Sequence, residues 1–398
     1  MKKKDISHKI LFAVSMLLAL ARPAFGEGTV QHSVAAGGGT GYLLNGLDIY
    51  ETLIDSKVYG LGQVETGFRP VADDGDYYSW AFNRPISSLG FSYIGTGSLK
   101  FKGDSRMGDL FTLYGSFQAD LVRTSVFGFG PYVNLGATYT RYKYDPVTNP
   151  ANFYVGSNVI VLIGAGFDFH FRAGKHFEPG LRLGMSHRSN GMLRVPNFGL
   201  NKLQASVCLR YNIDDNDCGR REGPGPEMPQ FKKWNWDVYF SGGVHSCDVE
   251  RGINDERPEG QKWELSHPWL RLNLGACCSY RYHPIFSTGV GVDLFYTQNA
   301  RRLEECEKQI SGRDVKLSPF YCGTYLQQNF RYKNVVASIG FGVYLYKNLG
   351  PEDSGWNYQR AAIRFYMPKA SDIFVGFAMR AHSFDRSDTL EFTFGKRF

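Results

Sequence analysis

Residues 187–201 read His-Arg-Ser-Asn-Gly-Met-Leu-Arg-Val-Pro-Asn-Phe-Gly-Leu-Asn. A serine with a histidine is the minimum apparatus for acyl transfer: the imidazole takes the hydroxyl proton and the alkoxide attacks an ester carbonyl. Residue type alone does not make a site, so the question is where the chain aims these groups. In the run entering His187, Leu181, Leu183 and Met185 share one face, and parity continues that face to His187 and Ser189. Arg182, Gly184, Ser186 and Arg188 take the other face. After the Pro-Asn turn, Leu203, Ala205, Val207, Leu209 and Tyr211 form an apolar face whose parity includes Asn201, opposite Lys202, Gln204, Ser206 and Arg210. Side chains alternate across a strand. His187, Ser189 and Asn201 are therefore expected to converge on the apolar side of two adjacent strands. Polar groups facing lipid are costly unless they have work to do. Arg194, in the loop between these strands, can pair with a phosphate.

The same period of two runs through most of the chain. In 333–346, Val335, Ala337, Ile339, Phe341, Val343 and Leu345 oppose Asn334, Ser338, Gly340 and Gly342. In 127–139, Phe127, Phe129, Val133, Leu135, Ala137 and Tyr139 oppose Gly128, Gly130, Asn134, Gly136 and Thr138. Segments of this kind run well beyond the ~5–6 residues usual for a globular strand, which disfavours a β-sandwich. They are long enough for a tilted span of a bilayer. The reading is all-β: a transmembrane antiparallel β-barrel of about 14–16 strands. Strands are predicted at 57–69, 87–97, 108–121, 126–141, 157–171, 177–189 and 201–212. A second set is predicted at 233–246, 266–282, 284–297, 318–332, 334–348, 356–368, 371–383 and 387–398. Seven strands cannot close antiparallel on themselves, so both sets are expected to form one barrel, with 213–232 as a linker or long turn. Residues 27–56, Gly-rich and poorly patterned, are expected to be a mobile or plug-like segment.

Lys2, Lys3 and Lys4, the apolar run Ile10–Ala21, and Ala24 and Gly26 before Glu27 predict a cleavable signal peptide over 1–26. The 398 residues hold 24 Tyr, 30 Phe and 46 Gly at a mean hydropathy of −0.30, which suits a wall that shows lipid only every second side chain. The chain ends in an alternating strand with a terminal Phe398, resembling the C-terminal signal of outer-membrane barrels of Gram-negative cells. The net charge of +7 comes without a basic tract, and no nucleic-acid partner is expected. No cofactor or metal is expected either. The seven cysteines (Cys208, Cys218, Cys247, Cys277, Cys278, Cys306, Cys322) include no CxxC pair, and an exported chain could oxidise some of them. Asp214, Asp215 and Asp217 miss the spacing of a calcium loop. By parity, His382 is expected in the lumen. Arg182, Arg188, Arg271, Arg360 and Arg364 suit either a pore or a filled interior.

The stretch His187-x-Ser189-Asn190, followed by Pro196-Asn197-x-Gly199-x-Asn201, resembles the active-site segment of the outer-membrane lipid A deacylases (PagL-type, lipid A 3-O-deacylases, also called acyloxyacyl hydrolases). The likeness extends more loosely over 57–212, through Tyr114-Gly115, Tyr144-Asp145-Pro146, Asn149-Pro150 and Gly156-Ser157. It implies Ser189 as nucleophile, His187 as general base, Asn190 as an oxyanion donor, and lipid A or lipopolysaccharide as substrate. The family's third member is Glu; Asn201 stands in its place, and it can accept from imidazole but carries no charge. By parity Asn190 would turn inward, so its role requires the strand to be bending there already. The other reading of the same features is a catalytically inactive barrel acting as a channel or structural envelope protein.

Overall fold

The computed structural model describes residues 30–44, 56–71, 76–99, 101, 103–214, 225–256, 258, 268–350, 355–382 and 386–398. The expected signal peptide lies outside these residues. The first sheet holds β1 (Val30–Leu44), β2 (Val58–Pro70), β3 (Ile86–Gly95), β4 (Leu110–Gln118), the two-residue β5 (Val122–Arg123), β6 (Phe127–Thr140), β7 (Val159–Phe171), β8 (Phe177–Ser189) and β9 (Leu200–Asn212). Its order is β4-β3-β2-β1-β9-β8-β7-β6, and β4 pairs with β6 to close it. The second barrel comprises β10 (Trp234–His245), β11 (Trp269–Arg281), β12 (Phe286–Thr297), β13 (Phe320–Tyr332), β14 (Val335–Tyr346), β15 (Asn357–Met367), β16 (Ile373–His382) and β17 (Arg386–Arg397). It closes by pairing β10 with β17. Closure removes the edges at which backbone N–H and C=O groups would be left unpaired.

The all-β antiparallel reading holds, and most strands fall within a few residues of expectation. The single barrel does not: the sixteen wall strands are divided into two barrels of eight. The missed element is β1, placed in the segment expected to be mobile or plug-like. Its run Gly37-Gly38-Gly39 shows no alternation because it carries no side chains. In the wall that bareness is required, since a Cβ on Gly39 would lie 2.0 Å from the Ala205 carbonyl oxygen of β9. With β1 counted, the first set becomes eight strands and closes.

Eight strands leave an interior just wide enough for side chains, and both lumens are filled. In the first, Arg182 donates to Asp168 at 2.7 Å and to Glu65 at 2.5 Å, and Tyr114 donates to Glu65 at 2.8 Å. In the second, Asp293 accepts from Tyr239, Tyr358, Asn273 and Arg360, while Arg271 and Arg380 share Asp388. His382 lies in this lumen, its Nε2 2.6 Å from Tyr344 Oη. The lumenal arginines thus belong to packed interiors. Above the second lumen sits an unanticipated helix, Ala300–Ser311, which buries Leu303 and Cys306 and ends at Gly312 in the left-handed conformation (φ 72°). No described helix is long and apolar enough to cross a membrane.

The barrels lie side by side and touch at both rims. At one rim the short helix Tyr77–Ala81, capped by Asp76, reaches the second barrel's turns. Tyr77 Oη is 3.2 Å from His283 Nε2, Tyr78 Oη donates to the Pro284 carbonyl, and Lys333 pairs with Asp76 at 2.6 Å. Phe117, Phe82 and Tyr332 pack their rings there. At the other rim, the loop between β8 and β9 meets the end of β10 and the start of β17.

Candidate active site

β8 and β9 pair with His187 directly opposite Asn201, and β7 sets Val161 opposite Ser189. The three polar side chains share the parity of Met185, Leu183 and Leu203, which are exposed on the outer wall. Arg188 and Lys202, of opposite parity, are buried in the lumen. His187 Nδ1 lies 2.7 Å from Asn201 Oδ1. With the amide oxygen facing the ring, Nδ1 carries the proton and donates it, leaving the Nε2 lone pair free to act as a base.

Ser189 is the last residue of β8 and is 3 % exposed. Its hydroxyl makes no hydrogen bond to the His187 ring in this state. Two residues apart on one face, their Cα atoms are about 7 Å apart, and such contacts often tighten only with substrate bound. Asn190 lies just past the strand end, as its expected role requires. Its Nδ2 donates to the Arg194 carbonyl at 2.8 Å, which engages one of the two amide N–H groups. Its backbone N–H donates to Asn197 Oδ1 at 3.0 Å. Asn197 thus holds the Asn190 backbone, a contact that side-chain parity did not reveal, although the residue lies inside the motif. Arg194 is half-buried in the loop, and its carbonyl, rather than its guanidinium, does the visible structural work.

The loop back to β9 is held by its neighbour: Phe198 and Gly199 donate backbone N–H groups to the carbonyls of Phe153 and Tyr154. Gly199 has φ +71°, and a Cβ there would sit 2.7 Å from His187 Cε1, so glycine is needed to seat the imidazole. Next to His187 and Asn201 on the same face, Met185 and Leu203 line an open groove in the outer wall. Small residues (Gly41, Ala165, Gly166, Gly184, Ala205) form its floor, with Leu183, Met185, Leu203 and Phe167 along it.

The other candidates play no part here. Asp214 pairs with His32 at 3.0 Å, and Asp215 and Asp217 lie outside the described residues. Among the described residues no cluster of His, Cys, Asp and Glu could hold a metal. Cys208, Cys277, Cys278 and Cys322 are thiols, and Cys218 lies outside the described residues.

Residues 234–398 match the family model PagL_C, described as acyloxyacyl hydrolase, C-terminal domain. The match begins at the first residue of β10 and ends at Phe398, so it covers the second barrel, whereas the 187–201 resemblance lies in the first. It is consistent with a PagL-type lipid A deacylase family. No curated protein matches the chain. Solved structures it is similar to include OccK5 (OpdH) of Pseudomonas aeruginosa, at 8 % identity, 93 % of this chain, 98 % of that chain and a TM-score of 0.23. OccK11 (OpdR) of the same organism aligns at 8 % identity, 94 % and 98 % coverage and a TM-score of 0.18. A triple mutant of the Rhodopseudomonas blastica porin aligns at 8 % identity, 93 % and 100 % coverage and a TM-score of 0.16.

Proposed function

We propose that this chain is a hydrolase of the Gram-negative outer membrane that removes an ester-linked acyl chain from lipid A. The observation that carries the reading is the His187–Asn201 hydrogen bond, on the outer wall of a barrel, beside a serine. Nε2 takes the proton from Ser189 Oγ as that oxygen bonds to the ester carbonyl carbon. The tetrahedral oxyanion collapses, the sugar alcohol leaves with the proton from Nε2, and water, activated by the same nitrogen, then releases the fatty acid. Asn190, through its remaining amide N–H, is the side-chain oxyanion donor, worth about 3–4 kcal/mol of barrier. Asn201 fixes the ring.

The surroundings suit a substrate that lies in a bilayer. Both outer walls expose apolar side chains, such as Val64, Val133 and Val207 on the first barrel and Val290, Leu326 and Ile339 on the second. Trp234, Trp236, Tyr282 and Phe398 gather exposed aromatic surface at one rim, as interfacial girdles do. The groove beside His187 can take an acyl chain from the lipid side.

The test is to incubate the refolded full chain with lipid A in detergent and follow released fatty acid by mass spectrometry. Release by the parent, abolished in both Ser189→Ala and His187→Ala, is expected. No release under conditions where a known deacylase works would sink the reading.

A further inference from the structure

Ser189 ends β8, and the five residues that follow form a tight turn in which Leu193 N–H donates to the Asn190 carbonyl at 3.2 Å. Gly191 and Met192 both have positive φ, 61° and 63°. A buried methionine in the left-handed region persists only where its surroundings hold it there. Part of that hold comes from the first barrel, through Asn197 and the Arg194 carbonyl. The rest comes from the second. Ser246, 5 % exposed between β10 and the helix Asp248–Asp255, donates its backbone N–H to the Met192 carbonyl at 2.7 Å. Its hydroxyl donates to the Leu193 carbonyl at 2.8 Å. Leu390 of β17 lies against Gly191 so closely that a Cβ there would be 2.7 Å from Leu390 Cβ.

We infer that the second barrel completes the active site, with Ser246 as a positioning residue that fixes the turn carrying Asn190 beside Ser189. The inference rests on the deacylase reading and adds to it: the site belongs to two barrels, and the second has a catalytic consequence without touching substrate. Two consecutive carbonyls of the turn are tied from outside the barrel that bears the nucleophile. Loosening them frees Asn190 to rotate away from the developing oxyanion, while the groove that binds the acyl chain lies lower on the wall and is untouched. The predicted defect is therefore in kcat, not in KM.

Ser246→Ala removes the hydroxyl and keeps the backbone N–H. We expect kcat to fall about tenfold, the cost of one hydrogen bond lost from the reacting arrangement, with KM little changed. Ser246→Thr, which keeps the hydroxyl, should recover most of it. Leu390→Ala, which opens the contact with Gly191, should lower kcat in the same way and serves if Ser246→Ala does not fold, as judged by heat-modifiable mobility on gels. Amide exchange at Met192–Arg194 in Ser246→Ala should rise while that of β7 stays constant. Unchanged or increased kcat in folded Ser246→Ala, or a defect that Ser246→Thr does not rescue, would overturn the inference. A parent that releases no fatty acid instead defeats the deacylase reading itself, and the exchange measurement then still decides whether Ser246 holds the turn.

Discussion

Asn201→Asp is the most informative single substitution, because it changes charge and almost nothing else. The side chains are isosteric, and the present oxygen already lies 2.7 Å from His187 Nδ1. A carboxylate can only accept, so the ring is locked in the tautomer that leaves Nε2 free, and the imidazolium formed during proton transfer gains a charged partner. A neutral hydrogen bond contributes about 0.5–1.5 kcal/mol net and one to a charged group about 1.5–3 kcal/mol. The gain in the transition state is then roughly 1.5 kcal/mol, or about tenfold in rate. Coulomb's law at about 4 Å and an effective dielectric of 20 sets an upper bound near 4 kcal/mol. Asn201 is half-buried, so part of that is lost to removing a carboxylate from water, and the lower figure is the working one. Initial rates of fatty-acid release from lipid A, parent against variant, provide the assay. A rate unchanged or lowered in a folded Asn201→Asp variant that still needs Ser189 and His187 would refute the claim that a negative charge at position 201 stabilises the imidazolium in the transition state.

Gly199→Ala puts a methyl group 2.7 Å from His187 Cε1 and asks alanine to adopt φ +71°, so fatty-acid release should drop at least tenfold while gel mobility remains that of folded protein. At the opposite rim, burial raises the Asp76 carboxyl, but hydrogen bonds from Lys333 and Ser79 outweigh it and leave its pKa below the ordinary value. Its contribution to barrel docking is therefore complete above the unfolded-state pKa and is lost as pH falls through the lower folded value. Protection of the Tyr77–Trp80 amides against exchange, measured relative to the intrinsic rate at each pH, should fall in acid for the parent and lose that pH dependence in Asp76→Asn. Glu65→Ala strips Arg182 of a buried partner and should cost roughly 3–5 kcal/mol, read as a lower midpoint of heat-modifiable unfolding; an unshifted midpoint would mean Asp168 alone suffices. Both lumens being packed, planar bilayers holding the chain should show no steady single-channel conductance, and a stable open pore would contradict the filled interiors.

The sequence determined every wall strand but β1, and the side of the wall to which His187, Ser189 and Asn201 belong. A strand has a period of two, so once Leu183 and Met185 face out, His187 and Ser189 must follow, and the same parity through Leu203 and Ala205 carries Asn201 to their side. Asn197 and Gly199 were legible as motif residues, but their work was not: one seats a backbone N–H and the other makes room for an imidazole, and neither leaves a mark on side-chain alternation. Tertiary structure decided how many barrels there are. Closure depends on β1 meeting β9 and β4 meeting β6, pairings made by backbone groups that every residue carries. The strand that tips the count from seven to eight is the one whose glycines erased its pattern. Tertiary structure also decided that Ser246, some fifty residues beyond the motif, holds the turn after Ser189. A serine at a strand end is ordinary in sequence, and only the side-by-side placement of two closed barrels brings its hydroxyl to that carbonyl.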